Sequence, residues 1–315
     1  MPTALVTGGA GFIGSHLVSG LLADGYQVRT LDTFSSGSRA NLQAVSSHDR
    51  LTVIDGDIRD ESAVSRAMSG VERVFHLAAV TSVPGSFDNP RETTDVNCTG
   101  TATLLAAAAS EEIERFVFAS SAAVYGSDVP VPVAETATLD PESPYAHSKR
   151  YGESLVTQIG ESAGFETVSI RFFNVYGPGQ DPSGAYAAVI PAFISRLRAG
   201  KPPVIYGDGE QTRDFVAVSD VVAALIRAGE RSVSASAINI GGGGRVSIAE
   251  LAGTLIGIVG SERGADAELE PVYEPAREGD IRHSQADITR ARELLAYEPQ
   301  VSLAEGLRRT VDAFQ

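Results

Sequence analysis

Short apolar runs punctuate the first half of the chain, separated by longer stretches in which apolar residues recur at helical spacing. "TALVT" (3–7), "QVRTL" (27–31), "LTVID" (51–55), "RVFHLA" (73–78), "RFVFAS" (115–120) and "TVSIRF" (167–172) read as strands. Residues 12–24, 60–69, 90–110 and 145–163 read as helices. This alternation predicts βαβ units around a doubly wound parallel sheet, an α/β fold of Rossmann type. After residue 173 the regularity breaks at "NVYGPGQDPSGA", and a helix over 186–199 leads into mixed short elements. The expected division is a dinucleotide-binding domain carrying the catalytic residues (1–173) and a smaller mixed α/β substrate region (174–315). Chain crossings back to the first domain are expected. "GGGG" (241–244) stands between a strand, "AINI", and a helix beginning near Ser247, and reads as a tight strand-to-helix turn.

With 315 residues, 43% of them apolar, the chain can bury a large core. A formal charge of −15 repels phosphate backbones and anionic membranes, so neither is an expected partner. Any phosphate-bearing ligand must be small and held in a local pocket. The single cysteine, Cys98, excludes an internal disulfide, and neither the five histidines nor the carboxylates show metal-ligand spacing, so no metal is expected. The N-terminus runs directly into a strand, and no apolar run approaches the length of a membrane span, which makes the cytoplasm the expected location.

"VTGGAGFIGSHL" places Gly8, Gly11 and Gly14 between the first strand and the first helix. There the backbone can turn sharply, approach a pyrophosphate, and offer helix N-terminal N–H groups to it. Asp32, at the end of the second strand, stands where a carboxylate binds ribose hydroxyls and repels a 2′-phosphate, favouring NAD over NADP.

Of 25 basic residues only Lys149 and Lys201 are lysines, and Lys149 follows Tyr145 by four positions. One helical turn separates the two, so both side chains can share a face. A nearby ammonium and a cationic nicotinamide would each favour the phenolate, giving a base. A compact ammonium can lie beneath a phenol and bond a ribose hydroxyl, which the broad guanidinium fork cannot. With nine tyrosines and two lysines, chance yields some such pair about 6% of the time, so context decides. That context is "ASSAAVYG", which places Ser120 and Ser121 at the carboxyl edge of the fifth strand, where open α/β sheets bind ligands. Ser121, Tyr145 and Lys149 then form a hydride-transfer site with a hydroxyl-orienting donor and a base.

With these residues the chain resembles the extended short-chain dehydrogenase/reductases, and within them the UDP-glucose (UDP-galactose) 4-epimerase family. The resemblance runs through "TGGAGFIGSHL" (7–17), "GDIRD" (56–60), "HLAAVTSV" (76–83), "DVNCTGT" (95–101), "SSAAVYG" (120–126), "YAHSK" (145–149), "RFFNVYGPG" (171–179), "TRDFVAV" (212–218) and "REGDIRHSQAD" (277–287). It implies Asp57 and Ile58 near adenine, Leu77, Ala78 and Ala79 along the cofactor, Asn97 near the nucleotide, and Phe12 and Ile13 in the phosphate turn. It implies Asn174, Arg213 and Arg277 on the nucleotide sugar, with Thr81, Ser82, Ser121, Ala188, Val189, Tyr206, Asp280 and Ser284 completing that site. Two arginines suit a diphosphate, because guanidinium matches phosphate oxygens bidentately.

The implied reaction is NAD-dependent 4-epimerisation of UDP-hexoses through a 4-keto sugar, by a homodimer. Related dehydratases carry an Asp-Glu pair after the hydroxyl residue, and related decarboxylases a glutamate before Val-Tyr-Gly; here those positions are Ala122 and Ala123. Two departures from the epimerase pattern are Thr81, where some members have lysine, and Ala123, where many have threonine. The position of Ser284 faces the sugar's C2 substituent in the family, and a tyrosine there accompanies restriction to glucose and galactose. Serine, together with "DPSGAYAAVIP" (181–191), resembles the subset acting on UDP-N-acetylhexosamines, UDP-GalNAc and UDP-GlcNAc. The residues leave open another NAD-dependent nucleotide-sugar enzyme (decarboxylase, dehydratase or reductase) and a noncatalytic dinucleotide-binding protein on the same scaffold.

Overall fold

Six strands and six α-helices occupy the first 172 residues of the computed structural model, which describes residues 1–182, 188–233, 236–263, 269–277 and 279–314. The strands are β1 (Thr3–Thr7), β2 (Gln27–Asp32), β3 (Leu51–Asp55), β4 (Arg73–His76), β5 (Arg115–Ser121) and β6 (Glu166–Phe172). The helices are α1 (Phe12–Ala23), α2 (Glu61–Met68), α3 (Val83–Asp88), α4 (Pro90–Thr94), α5 (Gly100–Ser110) and α6 (Pro144–Ala163). There follow β7 (Asn174–Tyr176), α7 (Val189–Arg198), β8 (Val204–Tyr206), β9 (Thr212–Arg213), β10 (Phe215–Ala217), α8 (Val218–Glu230) and β11 (Ser236–Ile240). The described chain closes with β12 (Val246–Ser247), α9 (Ile248–Arg263), β13 (Val272–Glu274), α10 (Thr289–Leu295) and α11 (Leu303–Ala313).

The central sheet is parallel throughout, in the order β11-β6-β5-β4-β1-β2-β3. It is the doubly wound α/β sheet the apolar pattern predicts. Strand β5 is buried along its first six residues because helices cover both faces of the sheet. On one face α1 and α8 pack Leu17, Val18, Val221 and Leu225 into the core; on the other, α2, α5 and α6 contribute Val64, Leu104 and Val156. A third cluster, with Phe193, Leu251, Leu255 and Leu307, joins α7, α9 and α11 beside the sheet's carboxyl edge. The order reverses between β1 and β4, opening a crevice beyond their carboxyl ends.

Three expected elements differ in detail. The helix over 90–110 is interrupted: residues Asp95–Thr99 form a π-helical turn between α4 and α5. A wider turn of this kind is common at functional sites, and here it buries Asn97. The turn after β11 contains β12, which pairs antiparallel with β9 before α9 begins. The helix over 186–199 is observed as Val189–Arg198, and residues 183–187 of "DPSGAYAAVIP" lie outside the described residues. Among the described residues no helix is long and apolar enough to cross a membrane, and no group of His, Cys, Asp and Glu could hold a metal ion.

Candidate active site

The turn leaving β1 is shaped by close backbone approaches. Gly8 has φ +70°, and a Cβ there would stand 2.8 Å from the Ala78 nitrogen; a Cβ on Gly14 would run into the Gly8 carbonyl oxygen. Gly11 is the N-cap of α1 and supplies no side-chain cap, so the helix N-terminus, beginning Phe12-Ile13, keeps donors for an anion. Asp32 ends β2, and its carboxylate accepts from Ala10 N through Oδ2 and from Phe34 N through Oδ1, each at 2.8 Å. Each oxygen retains acceptor capacity, enough for two ribose hydroxyls. These residues fit a dinucleotide: donors for its pyrophosphate, backbone close enough to touch it, and an anionic acceptor for its ribose.

Beyond β4, a chain of hydrogen bonds runs across the crevice. Ala78 N donates to Thr7 Oγ1 (3.2 Å), Thr7 Oγ1 bonds His76 Nδ1 (2.7 Å), His76 Nε2 bonds Thr101 Oγ1 (2.8 Å), and Thr101 Oγ1 donates to Asn97 O (2.6 Å). Burial lowers the His76 pKa to about 3, with Lys149 adding to the effect, so the ring is neutral. Thr101 spends its proton on Asn97 O, so His76 carries its own on Nε2 and accepts from Thr7 at Nδ1. Asn97 accepts from Val80 N (2.8 Å) and donates to Val80 O (3.0 Å) and Ser148 Oγ (2.9 Å). The Asn97 amide thus ties the segment holding Leu77, Ala78 and Ala79 to helix α6. Asp57 is held below the usual carboxylate range by its hydrogen bonds to Arg59, and the Ile58 side chain packs against Gly100 in the core.

Ser143 caps α6 by accepting from Ala146 N (3.1 Å), and Pro144 opens the helix, which places Tyr145 in its first turn and Lys149 one turn on. Strand alternation separates the two serines that end β5. Ser120 is buried and donates to Glu153 Oε1 (2.5 Å), while Ser121 hydrogen-bonds the Tyr145 phenol. Burial raises the Tyr145 pKa and the Ser121 bond opposes it. Lys149 Nζ donates to Ala119 O (2.7 Å) and lies 5.8 Å from the centre of the Tyr145 ring. Burial lowers the Lys149 pKa to about 8, against the opposing pull of Glu153 and Cys98. In the protein chain itself desolvation therefore dominates both groups.

A cavity of about 250 Å³ opens between the sheet edge and the third cluster, lined among others by Asn174, Val189, Tyr206, Arg213, Arg277 and Asp280, with Ala188 at its side. Arg213 is paired with Asp280, and the Arg277 guanidinium stacks 3.9 Å over the Tyr206 ring. The sequence-derived substrate residues divide here. Those after residue 173 meet in this cavity, except Ser284, whose N–H bonds Thr212 O (3.1 Å). Ser82 caps α3 by accepting from Gly85 N (3.0 Å), and Thr81 is exposed beside it. Sequence inspection missed His76, Thr101, Glu153 and Arg171. A histidine inside an apolar strand and a glutamate four residues after Lys149 were the available signals, because buried polar groups require partners. Glu153 takes Arg171 Nε at 2.8 Å and Nη2 at 2.7 Å.

A glycine cradle and an acid at the switch point of a parallel sheet, with Ser121 beside a buried Tyr-Lys pair on the adjoining strand and helix, define a nicotinamide-dinucleotide enzyme of the short-chain dehydrogenase/reductase class. The chain belongs to the NAD dependent epimerase/dehydratase family, whose profile matches residues 4–241, and its cofactor is NAD. It is 42% identical to a UDP-glucose 4-epimerase of Mycolicibacterium smegmatis, over 99% of this chain and 98% of that protein. It is 33% identical to a dTDP-D-glucose 4,6-dehydratase of Homo sapiens, over 99% and 89%. Among solved structures, the UDP-N-acetylglucosamine 4-epimerase of Methanobrevibacter ruminantium, in complex with UDP-N-acetylmuramic acid, superposes with a TM-score of 0.93 at 38% identity. That match covers 99% of this chain and 98% of that one.

Proposed function

We propose that this enzyme interconverts UDP-hexoses at C4, UDP-galactose with UDP-glucose and also their N-acetylated counterparts. The observation that carries the reading is the pairing of Ser121 and Tyr145 at the carboxyl edge of β5, followed directly by Ala122 and Ala123. Methyl groups neither donate nor accept a proton, so no side chain at those two positions can serve elimination or decarboxylation at C5. Epimerisation needs only one acid–base group, and Tyr145 supplies it. NAD, which the glycine turn after β1 and Asp32 would hold, would supply the hydride acceptor and donor for C4. Tyr145 takes the O4 proton and gives it back, Ser121 orients O4, and Lys149 holds the nicotinamide ribose while its charge favours the phenolate. Asn174, Arg213 and Arg277 hold the nucleotide, and between the two hydride transfers the 4-keto sugar presents its other face.

Ser284, small and partly exposed beside Thr212, supports room for an N-acetyl group at C2. A homodimer formed through the face that carries α3 and α6 is also part of the proposal. Phe87 and Tyr151, on these neighbouring helices, are 60% and 48% exposed. The reaction is tested by incubating the protein with NAD and UDP-galactose, or UDP-N-acetylgalactosamine, and following the anomeric proton signals by NMR. Appearance of the gluco epimers is the expected result; a dehydrated, decarboxylated or unchanged sugar would exclude it.

A further inference from the structure

Asp214 is completely buried, and among the described residues no cation pairs with it. Its carboxylate is held by backbone amides alone: Gly242 N donates to Oδ1 (2.6 Å), Ala286 N donates to Oδ2 (2.9 Å), and Gly243 adds a further bond. Burial pushes its pKa up to about 6 against the pull of these three donors. The tetraglycine run is shaped around this anion. A Cβ on Gly241 would stand 2.8 Å from Asp214 Oδ2, and one on Gly242 would stand 2.5 Å from Phe215 O. Gly243 has φ +71°, which side chains rarely adopt, and Tyr297 OH anchors the turn by donating to Gly241 O (2.8 Å).

Three segments that carry the substrate residues converge on Asp214. Arg213 precedes it in the chain, its backbone carbonyl accepts from Asn174 N (3.0 Å), and Ala286 lies two residues after Ser284. Asn174 and Arg213 both line the cavity. We infer that Asp214 is a positioning residue for the nucleotide sugar, a buried anionic hub whose carboxylate ties the Gly242 turn and the Ser284 segment to the strand end that carries Arg213, while its backbone carbonyl holds Asn174. The inference rests on the proposed UDP-sugar reading of that cavity. It predicts that the hub governs nucleotide binding without touching ligand, and leaves the NAD cradle on the far side of the sheet order unaffected. An amide in place of the carboxylate sets an N–H against a backbone N–H and removes the charge that strengthens the remaining bonds.

The test measures UDP and NAD affinities by calorimetry, with KM and kcat, for the wild-type enzyme and Asp214→Asn. The expected result is a loss of UDP affinity and a rise in KM of about tenfold, with kcat and NAD affinity held within about twofold. Equal UDP affinity in the variant, or a parallel loss of NAD affinity, would overturn the inference while leaving the UDP-sugar reading intact. Failure of the wild type itself to bind UDP would remove that reading and the inference with it. If Asp214→Asn does not fold, Gly242→Ala displaces the turn from an intact carboxylate and is expected to give the same selective loss; unchanged UDP affinity there would count against the hub.

Discussion

Lys149 donates from a position only 4% exposed to the carbonyl oxygen of Ala119, 2.7 Å away on strand β5. Helix α6 is thereby fastened to the strand that ends in Ser121, so the residue expected to bind cofactor also sets the spacing of its neighbours. Burial holds its pKa near 8, and keeping it charged at neutral pH costs the fold about 3 kcal/mol.

Lys149→Met is therefore expected to abolish turnover and stabilise the fold. Loss of the Ala119 bond returns about 1 kcal/mol of the gain, leaving a net of about 2 kcal/mol at pH 7. Because the folded pKa is depressed, the unfolded chain binds more protons between pH 8 and about 10.5, and wild-type stability from this group rises with pH across that window. The advantage of the methionine variant should shrink over the same range. Thermal melts of both proteins from pH 7 to 10.5 check this, and a variant less stable than wild type at pH 7 would contradict it.

Tyr145→Phe removes the hydroxyl that Ser121 bonds and nothing that lines the nucleotide cavity. Turnover should fall by about 10² to 10⁴ while NAD and UDP affinities stay unchanged. Near-normal turnover in this variant would exclude Tyr145 as the base.

Ser284→Tyr should narrow the space proposed for an N-acetyl group. The expected outcome is a fall of about tenfold or more in the turnover of UDP-N-acetylgalactosamine relative to UDP-galactose, measured with the two substrates in parallel. An unchanged ratio would mean that another residue sets the width of the pocket.

Phe87→Asp on α3 and Tyr151→Asp on α6 each replace an exposed aromatic side chain with a charge. Light scattering is expected to report twice the chain mass for the wild type and a shift toward the single chain for both variants. A wild-type protein of single-chain mass would refute the dimer.

Strands β1, β2, β4, β5 and β6 were legible in the sequence because each is a short apolar run buried within the central sheet. Gly8 and Gly14 were legible because the close backbone approaches of the turn after β1 leave no room for a Cβ. What the sequence concealed depends on contacts between distant segments. The π-helical turn at Asp95–Thr99 arises where Asn97 is drawn inward to Val80 and Ser148, a partnership 17 and 51 residues long-range. The glycines at 241–243 read as a plain turn because their partner, Asp214, lies 28 residues away from Gly242. The dominance of burial over the Tyr145 and Lys149 charges likewise depends on packing that no local pattern records.

The central claim is that a hydride leaves C4 and returns to it, with no proton exchanged at any carbon of the sugar. The most direct measurement runs the conversion of UDP-galactose in D₂O and locates deuterium in the product by NMR and mass spectrometry. The account predicts UDP-glucose with no deuterium bound to carbon. Deuterium at C5 or C6, with loss of water from the sugar, would identify a dehydratase and contradict it.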